Sequence, residues 1–85
     1  MSIGEAVDLF KKKNRGLVVT ARGSYDSNYY VVCAVENPKE VDRTNPFYFI
    51  NKSDGSIFRF GDPESRGKVS LDVMDIVSKL KPLEF

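Results

Sequence analysis

The chain has 85 residues, 41% hydrophobic and 29% charged, with a formal net charge of +1 at pH 7. That length accommodates a single domain over residues 1–85 with one modest core, and the composition is that of a globular rather than a disordered chain. There is no His and only one Cys, Cys33, which excludes Ser-His-Asp and Cys-His catalysis, an intrachain disulfide and a zinc cluster.

Ser2-Ile3-Gly4-Glu5 has the capping-box spacing. Ile3, Ala6, Val7 and Phe10 follow at i, i+3, i+4 and i+7, one apolar stripe of a helix predicted over residues 3–13. Glu5 and Asp8 suit its positive start, Lys11 to Lys13 suit its negative end, and Asn14 and Gly16 supply the stop. Leu17-Val18-Val19-Thr20-Ala21 is short and β-branched, hence a strand. Residues 22–28 are rich in turn formers and read as a loop with Tyr25 at its centre. Residues 29–35, Tyr-Tyr-Val-Val-Cys-Ala-Val, show no polar alternation, the mark of a central strand covered on both faces at least in part. Residues 36–45 are polar and form a long connection containing Pro38.

Residues 47–50 form the third strand, after Pro46. Residues 51–56, with Gly55 available for positive φ, make a tight hairpin rather than a calcium loop: the alternating acidic ligands and the closing Glu are absent. Residues 57–60 are the fourth strand, placing Phe58 and Phe60 on one face and Arg59 on the other. Asp62, Glu64 and Arg66 lie in a Gly- and Pro-marked connection, better suited to a solvated loop than to an acid/base pair. A last helix is predicted over residues 71–81, capped by Ser70, carrying Val73, Met74, Val77 and Leu80, and stopped by Pro82. The fold class is α+β: an N-terminal helix, a four-stranded antiparallel meander and a C-terminal helix. The two helices are expected to share one sheet face and leave the other open.

From these elements the chain reads as a non-enzymatic protein-binding factor without cofactor or metal. Its expected partner-binding residues are Tyr25, Tyr29, Tyr30 and Tyr48, with Arg22 and Asp26, because Tyr offers rigid amphipathic contact area. The alternatives are weak nucleic-acid association through Lys11, Lys12, Lys13 and Arg15 with the tyrosines, or a homodimer, for instance as a virion component. Nucleic acid is disfavoured as partner: residues 1–24 hold five basic side chains against Glu5 and Asp8, but the remainder is net acidic. Cys33, mid-strand among apolar neighbours, reads as a structural thiol. No apolar run approaches the roughly 20 residues of a membrane span. The opening MSIGEAVDLFKKK places its charges after its apolar residues, the reverse of a secretory signal, so a cytoplasmic location is expected.

Residues 29–60 also carry a resemblance. Tyr29 to Val35, then Pro46-Phe47-Tyr48-Phe49-Ile50-Asn51-Lys52-Ser53-Asp54-Gly55-Ser56-Ile57, resembles small bacterial and prophage proteins in which a strand is followed by P-x-Y-x-V-D-K-x-T-G-x-V. The YrhB-like immunity-protein group and PepSY-like domains share this hairpin. Asn51 stands where the pattern has Asp, and Asp54 where it has Thr. The resemblance implies an N-terminal helix packed on an antiparallel sheet and a non-catalytic binding or inhibitory role.

Overall fold

A computed structural model describes residues 1–37, 39, 46–63, 67–69 and 72–82. The first helix, α1, spans Ile3–Lys13. Its capping box is formed: the Glu5 backbone N–H donates to Ser2 Oγ at 3.2 Å, and the Ser2 N–H donates to Glu5 Oε1 at 3.5 Å. At the other end Asn14 donates its backbone N–H to the Phe10 carbonyl at 2.9 Å, and Gly16 takes φ 97°. Ala6, Val7 and Phe10 are the buried stripe.

Four strands follow: β1 (Val18–Ser24), β2 (Tyr29–Val35), β3 (Phe47–Asn51) and β4 (Ile57–Arg59). They pair antiparallel in sequence order, so the meander stands as expected. β1 runs further than its β-branched core suggests: Arg22, Gly23 and Ser24 pair with Val32, Val31 and Tyr30 instead of lying in a loop. A register shift between Val19 and Ala21 leaves Thr20 as the extra residue. Its hydroxyl donates to the Cys33 carbonyl at 3.3 Å, a local repair of the disrupted ladder.

The second helix, α2, is Val73–Ser78, six residues instead of eleven. Asp72 caps it, its Oδ1 accepting the Met74 N–H at 3.0 Å; Ser70, the expected cap, and Leu71 lie outside the described residues. Lys81 and Pro82 are not helical. They form β5, a two-residue strand antiparallel to Ala21 and Arg22 of β1, giving the order β4-β3-β2-β1-β5. The apolar spacing could not reveal this, because Leu80 continues the stripe and is half-buried on the core although its backbone has already left the helix.

The helices do not share a face. α1 packs on Val19, Val32, Ala34 and Ile50; Ile76 of α2 joins Val31, Phe47, Phe49 and Phe58 on the opposite side. Val31 and Val32 are both fully buried, so β2 is central and covered twice, as its unbroken apolar run requires. The open face expected from the sequence is therefore closed. Two short helices suffice because the sheet is narrow and its own aromatic rings fill much of the α2 side.

Candidate functional site

The strand alternation splits the four tyrosines. Tyr30 and Tyr48 pack against the α1 core, Tyr25 and Tyr29 against the α2 core. All four are half-buried. Tyr25 stands edge-on to Phe49 with ring centroids 5.2 Å apart, and Tyr29 edge-on to Phe58 at 5.4 Å. Tyr48 is tilted against Phe10 at 5.0 Å. Such pairs are core contacts with favourable ring geometry. The four rings do not form one continuous aromatic surface.

One end of the sheet is built from two turns. Asp26 Oδ1 accepts the backbone N–H groups of Asn28 and Tyr29 at 2.7 and 2.9 Å, an Asx-type turn that explains why Asp serves at this position. Lys52 joins this turn to the β3–β4 hairpin. Its backbone N–H donates to the Asn28 carbonyl at 2.8 Å, and its ammonium donates to Ser24 Oγ at 2.7 Å and to the Asp26 carbonyl at 2.6 Å. The same ammonium lies 4.7 Å from the Tyr30 ring centroid, while the Tyr30 hydroxyl donates to the Met1 carbonyl at 2.7 Å. Sequence reasoning missed Lys52, since nothing local to residues 51–56 indicates a partner 28 positions earlier. Asp26 thus has a structural task within the turn. Arg22, opposite Val32 in the register, is half-buried within β1.

The hairpin has its own carboxylate. Asp54 Oδ1 accepts the Ser56 N–H at 2.8 Å; hydrogen bonding from Ser56, with a smaller contribution from the Lys13 charge, holds its carboxyl below the usual value of 3.8.

At the other end lie the exposed cations Lys11, Lys12, Lys13 and Arg15. A shallow groove of about 300 Å³ runs between α1 and β4, lined by Lys13, Asn14, Tyr48, Ile57, Arg59 and Asp62. The Arg59 guanidinium sits 5.8 Å from the Tyr48 ring centroid. The sequence grouped Lys11 to Arg15 by proximity along the chain; of these only Lys13 lines the groove, where the fold sets it beside Arg59 and Tyr48. Of the acidic connection only Asp62 is described, and Glu64, Ser65 and Arg66 fall outside. Most of the long connection, 38 and 40–45, also lies outside the described residues.

The third feature is apolar. On the outer side of α2, Met74 is 74% and Val77 45% exposed. Cys33 is free, half-buried and packed on the α2-side core. Among the described residues no three His, Cys, Asp or Glu side chains are grouped to hold a metal ion, and no helix is long and apolar enough to cross a membrane.

Comparison with protein-family models, with curated proteins and with solved structures finds no match in any of the three. The hairpin resemblance of residues 29–60 therefore stands on those residues alone.

Proposed function

We propose that the protein is a small, non-enzymatic protein-binding domain of the inhibitor or immunity type, acting by covering a partner's surface. The observation that carries this reading is the exposed pair Met74 and Val77, one turn apart on the outer side of α2. Both helices have buried faces of their own, so these two side chains are surplus to the core; among the described residues Met74 is the most exposed large apolar side chain, with Met1 and Val77 close together behind it. A few anchor residues contribute most of the affinity in an interface, and Met is enriched there relative to the rest of a protein surface. The contact surface accordingly moves from the four tyrosines to α2, with the half-buried rims of Tyr25 and Tyr29 on the same sheet face.

The test is affinity capture from lysate of the source cells, followed by measurement with the purified partner. Met74→Asp combined with Val77→Asp is expected to weaken that binary complex at least tenfold, while Tyr48→Ala on the opposite face leaves it within about twofold. Equal affinity for wild type and the α2 variant removes the reading.

A second reading, nucleic-acid association, is favoured by one specific arrangement: Arg59 and Tyr48 border the same groove as Lys13. It requires binding that weakens steeply between about 50 and 200 mM salt. No gel shift at 50 mM salt eliminates it.

A further inference from the structure

The C-terminal segment is fastened differently from the rest of the fold. A helix of six residues has no stability of its own, so α2 stays in place by what it buries. Ile76 is its fully buried side chain, with Val73 and Leu80 half-buried beside it. Its described hydrogen bonds are local: Lys79 donates to the Ile76 carbonyl at 3.0 Å and Leu80 to the Val77 carbonyl at 3.1 Å. β5 adds two paired residues, of which Pro82 has no N–H to donate.

The seat of this segment is Gly23. A side chain there would collide with the Lys79 backbone carbonyl, so the end of α2 rests directly on the β1 backbone, an approach open only to glycine. Beneath the segment lies an aromatic face whose rings also pack on one another. Phe49 and Phe58 stack at 5.3 Å, Tyr25 and Tyr29 brace them edge-on, and Phe47 meets Phe60 at 6.0 Å. The strands carrying these rings are locked to one another by the β1–β4 ladder and backed on their other side by α1.

We infer that residues 72–82 form a strap that opens as one cooperative unit, uncovering the aromatic face while α1 and β1–β4 stay folded. Among the described residues the strap is held by the burial of Val73, Ile76 and Leu80, its seat on Gly23 and two paired residues of β5, against a four-strand ladder and a helix for the body beneath, so the two separate at different free energies. This inference is independent of the proposed binding function, because the opening is measured on the isolated chain.

The experiment is native-state hydrogen exchange on the full chain across low denaturant concentrations. The amides of Ile76, Lys79 and Leu80 are expected to exchange at least tenfold faster than those of Val31, Val32 and Ile50. They should also converge on one opening free energy, with a denaturant dependence that is measurable but smaller than that of global unfolding. Exchange of the strap amides only through global unfolding overturns the inference; so does exchange with no denaturant dependence, which is end fraying. Gly23→Ala supplies the second arm. It should abolish strap protection and raise binding of a hydrophobic dye severalfold while Val32 and Ile50 remain protected. Simultaneous loss of protection at all of these positions contradicts a separable strap.

Discussion

Single residues show how little latitude the turns allow. Gly55 closes the β3–β4 hairpin at φ 73°, donating its N–H to the Asn51 carbonyl at 2.9 Å. A Cβ there would lie 2.6 Å from Leu9 Cδ2, so strain and overlap act together. Gly55→Ala is expected to destabilise by about 1–3 kcal/mol, read as a lowered denaturation midpoint; an unchanged midpoint would show that α1 yields freely. Asp54 provides a pH signature. Its folded pKa is depressed by the Ser56 hydrogen bonds, so its contribution is present above the unfolded value of 3.8 and is lost as pH falls through the lower folded value. The stability difference between wild type and Asp54→Ala should therefore be seen at neutral pH and shrink below pH 3.8, which paired acid and neutral melts check.

At the scale of elements, the edge of β4 is the informative case. Phe60 donates to the Phe47 carbonyl and Asn51 to the Ser56 carbonyl, each at 2.8 Å, so the alternation of an antiparallel ladder turns the N–H and C=O of Arg59 outward. Asp62 takes both. Its Oδ2 accepts the Arg59 N–H at 3.1 Å, and its own N–H donates to the Arg59 carbonyl at 3.0 Å. An unpaired edge is a template for another strand, and here a carboxylate blocks it. Asp62→Ala should make the protein self-associate with rising concentration, measured by light scattering; a strict monomer at every concentration would mean that the shortness of β4 is protection enough. α1 is the opposite case, an element whose cap, stripe and stop all lie within its own residues or the few that flank them. The same logic failed for α2, whose apolar spacing continues through Leu80 while its backbone leaves the helix to pair with β1.

Across the whole molecule, one narrow sheet divides two cores. The α1 side is anchored by Phe10, fully buried and set against Tyr48. Removing that ring leaves a void in the body of the fold, so Phe10→Ala is expected to cost about 3–5 kcal/mol and to lower a single cooperative transition followed by circular dichroism. A loss under 1 kcal/mol would show that the α1 side repacks around the gap.

What the residues state on their own is whatever short-range chemistry dictates: the capping box at Ser2 and Glu5, the extent of α1, the doubly buried β2, the positive-φ turn at Gly55 and hence the α+β meander. The partition of helices between faces was decided by tertiary structure, because an amphipathic stripe says that a helix has a buried side but not which sheet face receives it. Tyr29 and Tyr30, adjacent in one strand, must point to opposite faces, but that each face is a packed core was decided only when a helix covered it. The seating of Lys79 on Gly23, the reach of Lys52 to Ser24 and the placing of Arg59 on the same groove as Lys13 all join positions distant in the chain, and no local pattern encodes them.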